Sequence, residues 1–195
     1  MARLTAMANV VYFDLETQRS FSDVGGFSQK HKMGISVGVT YSTASGEYTI
    51  YQEHEMQALV QELTRADLVV GFNHIGFDYG VLQSYTVFDL MEQTRNLDML
   101  VEVEKTLGHR LKLDSIASAS LGMGKTADGL DALKWWQEHK RTGDPAPLMK
   151  IAEYCCYDVK VTKLVHEYGI EHGFVKYADR NGHEQQCAVD WKMPG

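Results

Sequence analysis

The chain has 195 residues, 44% of them hydrophobic, enough to bury a core, and a net charge of −7 at neutral pH. No stretch approaches the roughly 18 to 20 apolar residues of a membrane span, and the first eight residues lack the apolar centre of a secretory signal, so a cytoplasmic protein with no membrane partner is expected. Cys155, Cys156 and Cys187 make neither a disulfide framework nor a C-x-x-C metal pattern, and no histidine pair has zinc-ligand spacing, which leaves reduced thiols.

Val10 to Glu16 is an apolar run rich in β-branched and aromatic residues and reads as a buried strand. Side chains alternate along a strand, so Asp14 and Glu16 share a face. Carboxylates held side by side repel each other, and a fold that buries such a pair needs a cation there. A hard divalent ion such as Mg²⁺ suits oxygen ligands.

Ile35 to Tyr41 and Glu47 to Tyr51, on either side of Ser45-Gly46, read as antiparallel strands. From there the pattern alternates. Glu53 to Thr64 is helical, Asp67 to Phe72 is a fourth strand, Phe77 to Tyr85 is helical, and Asn96 to Val101 is a fifth strand. The turn after the fourth strand carries Asn73, a residue type that tolerates left-handed backbone. Asp78 falls in the first turn of the following helix, where a carboxylate also compensates the helix dipole.

Helices near Leu113 to Leu121 and Leu130 to His139 come next. Pro145 and Pro147 then precede an apolar stripe from Leu148 to about Tyr168, which predicts an amphipathic helix entered at proline. Tyr154 and Asp158 are i and i+4 and project from one face, a turn apart. A phenol there can hold a water while the carboxylate holds a metal. After Gly173, two short strands flank Asn181-Gly182 and read as a hairpin. The order predicts an α/β fold with a central mixed five-stranded sheet flanked by helices, in one domain over residues 1–195 with a core at about 9–170.

Asp14-Leu15-Glu16-Thr17, then Asn73 with Phe77-Asp78, then Tyr154 with Asp158 and Thr162 resemble, in order, the three motifs of the DEDD superfamily of 3′-to-5′ exonucleases on the RNase H-like fold. The subgroup is the one with tyrosine in the third motif. Its histidine counterpart places His five residues before the Asp, and position 153 is Glu. The second and third motifs are also similar to the proofreading domains of family B DNA polymerases. The overall pattern is closer to small bacterial ribonuclease H-like exonucleases, including Leu111 to Ala117 and Lys125 to Trp136.

The resemblance implies two divalent metal ions, Mg²⁺ or Mn²⁺. Asp14, Glu16 and Asp158 would hold the metal at which water is activated, Asp14 would bridge to the second, and Asp78 would bind through water. Tyr154 would orient the attacking water, Asn73 would support the strand end, and Thr17 would contact the terminal nucleotide. The implied substrate is single-stranded DNA or RNA with a free 3′ end, DNA slightly favoured, and a helicase is the implied partner. The alternatives are an RNA-trimming exoribonuclease and a nuclease-like accessory module that binds nucleic acid beside a helicase with little turnover.

Other signals are weaker. Gly122-Met123-Gly124-Lys125-Thr126 ends like a phosphate-binding loop, but the glycine required five residues before Gly124 is Ala119. Trp135-Trp136 reads as one buried and one edge aromatic rather than a base-stacking platform. An acidic chain binds extended nucleic acid weakly unless its cations are grouped, and they concentrate in Lys105, His109, Arg110, Lys112, Lys125, Lys134, Lys140 and Arg141.

Overall fold

The computed structural model describes residues 8–124 and 129–192. Five strands form the central sheet: β1 (Val10–Thr17), β2 (Ile35–Ser42), β3 (Glu47–Gln52), β4 (Leu68–Gly71) and β5 (Asn96–Asp98). Their order is β3-β2-β1-β4-β5, with β1, β2 and β3 antiparallel and β4 and β5 added parallel to β1. This is the mixed sheet expected, with β1 at its centre.

The helices are α1 (Phe21–Val24), α2 (Met56–Arg65), α3 (Asp78–Leu82), α4 (Leu90–Gln93), α5 (Met99–Leu107), α6 (Leu113–Leu121), α7 (Gly129–Thr142) and α8 (Pro145–His172). A 3₁₀ segment covers Phe27–Lys32. The strand alternation of β1 sorts the core into two layers. Val11, Phe13 and Leu15 pack with Leu59 and Leu63 of α2 and with Val81 and Leu82 of α3. Tyr12 faces the other way, into a layer with Ile116 of α6, Ala132 of α7, and Ile151, Cys155 and Val159 of α8.

The fifth strand is shorter than expected. It ends at Asp98, whose carboxylate accepts from the backbone N–H groups of Leu100 (3.1 Å) and Val101 (3.4 Å) and so starts α5. Apolar residues Met99 to Val101 belong to that helix; a short apolar run carries no periodicity that separates strand from helix. The helix expected from Glu53 begins as a 3₁₀ turn at Glu53–Glu55, and the one after Phe77 is confined to Asp78–Leu82.

α8 starts where proline predicts. Asp144 caps it by accepting from Ala146 N at 2.9 Å, and Pro145 occupies the first turn, where a missing N–H costs nothing. The helix runs 28 residues, beyond Tyr168, and stops at Gly173 in left-handed backbone (φ 75°).

The C-terminal hairpin is present as β6 (Phe174–Ala178) and β7 (Glu184–Ala188). Its loop is five residues rather than a two-residue Asn-Gly turn. Gly182 N donates to Asp179 O (3.0 Å), which places Arg180 and Asn181 at the corner. Val175 and Cys187 are buried in the α8 layer, and the chain then lays Trp191 across Gly169. A Cβ at Gly169 would meet that indole at 2.4 Å, so glycine is required for the close approach. Among the described residues, no helix is long and apolar enough to cross a membrane.

Candidate metal centre

Asp14 and Glu16 occupy the second half of β1, on the face turned toward α8. The register of β1 against β2 shifts between Glu16 and Thr17, which pair with Val37 and Ile35. Ser36 is left as the extra residue and donates its hydroxyl to Glu16 O at 3.0 Å. Such a bulge bends the strand and re-aims the side chains beside it.

Asp158 comes to the same place from α8, and carboxylate oxygens of Asp14, Glu16 and Asp158 all lie within 4.8 Å of one another. Burial pushes the Asp14 and Glu16 carboxyls well above the ordinary range. Asp78 and Asp158 add further repulsion to Asp14, and Asp158 and Asp78 to Glu16. Three half-buried carboxylates so close cannot all ionise without positive charge among them. A donor set made only of hard oxygens fits Mg²⁺ or Mn²⁺ rather than a thiophilic ion.

Asp78 lies outside this trio but lines the same pocket of about 250 Å³, together with Thr17, Phe72, Asn73 and Phe77. It is 3% exposed. Burial lifts its carboxyl to about 8, opposed by backbone N–H groups of Asp78 and Leu15. Tyr154 projects from α8 one turn before Asp158, and its hydroxyl is bonded to the Asp158 carboxylate. Burial and that acid both push the phenol further from ionisation.

Thr17 is buried and spends its hydroxyl proton on Arg19 O (3.0 Å). Asn73 adopts left-handed backbone (φ 70°), as its turn requires, and its Oδ1 accepts from Arg110 Nη2 at 2.7 Å. The turn is pinned from below by the β5 residue Asp98, which accepts from Asn73 N (2.8 Å) and Ile75 N (3.0 Å). Asp14, Glu16, Thr17, Asn73, Asp78 and Asp158 therefore line one pocket, and Tyr154 reaches it only through its bond to Asp158.

Three further neighbours complete the surroundings of the pocket. Cys155, 0% exposed, directs its thiol at Asp14, 3.4 Å from the carbonyl oxygen and 3.7 Å from Oδ2. Burial first, and then Asp14, keep that thiol protonated. Lys30 reaches over from the 3₁₀ segment, bonding Gly76 O at 2.5 Å and drawing the Asp78 carboxyl down. Arg110 reaches Asn73 from the loop between α5 and α6. Cys155 is signalled by its place one turn before Val159 on the apolar stripe and Arg110 by its place among the grouped cations, whereas Lys30 arrives through tertiary packing alone.

The remaining expectations divide. Trp135 and Trp136 are both half-buried against the α8 layer, and Trp136 lies against His139 and beneath Lys140. Lys105 and Lys134 pair with Glu102 and Asp131 of their own helices, at 2.7 and 2.9 Å. Lys125 and Thr126, the end of the phosphate-loop-like stretch, lie outside the described residues, and Gly122 serves as the left-handed stop of α6.

A search of curated proteins finds no match. Among solved structures, the family B DNA polymerase from the hyperthermophilic archaeon Pyrobaculum calidifontis superposes with a TM-score of 0.62 at 16% identity, covering 84% of this chain and 24% of the polymerase. The likeness at that identity is one of fold, and the chain spans about a quarter of the polymerase's length. A family model described as the RNase_H superfamily matches residues 11–169, which takes in β1, the sheet and nearly all of α8, and the chain belongs to that superfamily.

Proposed function

We propose that the chain is a 3′-to-5′ exonuclease of the DEDD type that trims single-stranded nucleic acid, DNA somewhat better than RNA, by a two-metal mechanism. The observation that carries the reading is the meeting of Asp14, Glu16 and Asp158 within 4.8 Å, in a superfamily whose members are usually nucleases. The resemblance of the three motifs to exonucleases, and of the second and third to polymerase proofreading domains, supplies the direction and the preference for a strand end.

Asp14, Glu16 and Asp158, with Asp78 beside them, would hold divalent cations, which when bound would supply positive charge for the phosphoryl oxygens and lower the pKa of the attacking water. The protein's own groups do the positioning. Tyr154, whose hydroxyl is bonded to Asp158, would accept a hydrogen bond from the attacking water and hold its lone pair in line with phosphorus. The water oxygen bonds to phosphorus, the bond to the 3′ oxygen of the preceding nucleotide breaks, and that oxygen takes the proton. The products are a nucleoside 5′-monophosphate and a strand with a new 3′-hydroxyl.

Thr17 and Asn73, on the pocket wall, contact the end of the strand. A pocket of about 250 Å³ is smaller than most ligand sites and admits little beyond a terminal residue. A duplex end must first be unpaired and unstacked, at a cost of a few kcal/mol, whereas a single strand enters directly.

The test uses a linear single strand, the same strand circularised, and a linear strand with a blocked 3′ terminus, each with Mg²⁺, Mn²⁺ or EDTA. Stepwise shortening of the free linear strand, only with metal, is expected. Rapid cutting of the circle would refute the exonuclease reading and leave an endonuclease built on the same carboxylates. Equal activity in EDTA would remove the metal mechanism altogether.

A further inference from the structure

The hairpin of β6 and β7 lies beyond the matched residues 11–169, yet it is a built part of the molecule. Lys176 N donates to Ser120 Oγ of α6 at 2.9 Å, and Val175 and Cys187 are buried in the α8 layer. Between this hairpin and the loop joining α5 to α6 runs a groove of about 570 Å³. Its lining combines two arginines, Arg110 and Arg180, with two rings, His109 and Tyr177. The rings meet edge to face with centroids 6.3 Å apart.

The groove is connected to the carboxylate pocket by one residue. Arg110 lines the groove and donates to Oδ1 of Asn73, which lines the pocket. A strand leaving the pocket past Asn73 therefore meets Arg110 next and the groove after it.

The local charge favours an anion although the chain as a whole is acidic. Asp179 is the acid in the lining, but its carboxylate is turned into its own loop, accepting from Asn181 N (2.8 Å) and His183 N (2.9 Å). Glu104 offsets Arg110 only in part, at 3.9 Å from its Nε. Arg180 sits exposed at the corner of the hairpin loop. Alternating guanidinium groups and aromatic faces is the composition that grips single strands, arginine on phosphate and ring on base.

We propose that this groove is a binding subsite for single-stranded nucleic acid, taking the nucleotides that follow the terminal one, with Arg110 and Arg180 on phosphates and Tyr177 stacked on a base. The assignment rests on the nuclease reading of the carboxylate pocket for its direction, but not for its binding chemistry. It also accounts for how an acidic protein holds a polyanion: the contacts are grouped in one groove beside the pocket.

The experiment measures binding of a fluorescent 12-nucleotide oligothymidylate to the full chain by anisotropy, in EDTA to prevent turnover, over a range of salt concentrations. Arg180→Ala should weaken binding roughly 3- to 10-fold and flatten the plot of log affinity against log salt by about 0.7, the value of one lost single-strand phosphate contact. Tyr177→Ala should weaken binding roughly 5- to 100-fold with the slope unchanged, and Tyr177→Phe, which keeps the ring, should restore most of it. Because Tyr177 is partly packed on the core, the exposed Arg180 keeps the test decisive if the alanine variant fails to fold. Unchanged affinity and slope in Arg180→Ala, with strands still degraded in Mg²⁺, would overturn the groove and leave the nuclease reading standing. The expected losses in a protein that degrades no strand with either metal would uphold the groove and sink the nuclease reading instead.

Discussion

The strand β1 and the helix α8 meet along two polar clusters, one buried and one half-buried, and the two are opposite in kind. Tyr12 on β1 meets His166 on α8, with the phenol 2.9 Å from Nδ1 and Trp191 stacked beyond the ring. Two and four residues further along the strand, Asp14 and Glu16 meet Asp158, two turns earlier on the helix. The first cluster joins a neutral phenol to a neutral imidazole through one hydrogen bond, and burial holds it neutral, lifting the Tyr12 phenol and lowering His166 to about 4. The second has only acceptors, with one thiol and one phenol to donate. A fold buries polar groups cheaply when donor meets acceptor; acceptors packed on acceptors need a proton or a cation among them. The comparison therefore separates a polar joint that holds the fold from one whose repulsion a bound cation could relieve.

The sharpest way to break that contrast is to remove charge from the second cluster. Asp14→Asn should lower exonuclease turnover on the order of 10³-fold or more, the loss of several kcal/mol of transition-state stabilisation. In EDTA the same variant should melt several degrees higher than the wild type, because one repelling carboxylate is gone and the amide brings donors. Turnover of an end-labelled strand and a melting curve read the two effects. A variant that loses activity and also melts lower in EDTA would place Asp14 with the structural joint.

Tyr154 tests the boundary between the clusters, since it is a phenol like Tyr12 but bonded to a carboxylate. Tyr154→Phe should slow turnover roughly 10- to 10³-fold while the metal concentration for half-activity stays unchanged. Rates equal to the wild type would reduce Tyr154 to a packing residue of the α8 layer.

Metal binding gives the next largest effect. Mg²⁺ or Mn²⁺ at about 100 times its dissociation constant should stabilise the wild type by about 2.7 kcal/mol, a melting shift of several degrees. Asp14→Asn should lose most of that shift. A metal shift of the same size in the variant would mean that the ion binds elsewhere.

How much of this was legible in the sequence follows the same division. The strand of Asp14 and Glu16 and the helix of Tyr154 and Asp158 are long, periodic and capped by recognisable residues, so their faces could be assigned before any contact was known. Asp78 and Asn73 sit in a turn whose glycine and asparagine announce it. The α5 helix was partly read as strand, because Asp98 acts as both strand end and helix cap, and Met99 to Val101 are apolar under either assignment. Lys30 and Arg110 were beyond reach as partners of the pocket. Each reaches it across dozens of residues of chain, through a 3₁₀ segment and a loop with no periodic pattern. The Tyr12 to His166 joint spans 154 positions and gives no local sign at all.

That joint supplies the smallest prediction, a pH dependence of stability with a definite sign. His166 is buried among Tyr12 of β1 and Trp191 of the C-terminal segment, with Glu167 of its own helix as the nearby acid. Burial lowers its pKa to about 4, against a value of about 6.5 in an unfolded chain. Above pH 6.5 the imidazole is neutral in both states and its contribution is fully present. As pH falls below 6.5 the unfolded chain takes up a proton that the folded chain refuses, so stability declines until the folded pKa is passed near 4. Between pH 6.5 and pH 5 the loss amounts to about 2 kcal/mol, the linkage value of a shift of this size. His166→Gln keeps an amide near the Tyr12 hydroxyl and removes the titration. Urea unfolding at pH 7 and pH 5 should then show a smaller pH difference in the variant than in the wild type, even though the variant is less stable at pH 7. Parallel losses in the two proteins would mean that the acid sensitivity arises from other groups and that the Tyr12 to His166 joint is not held neutral by burial.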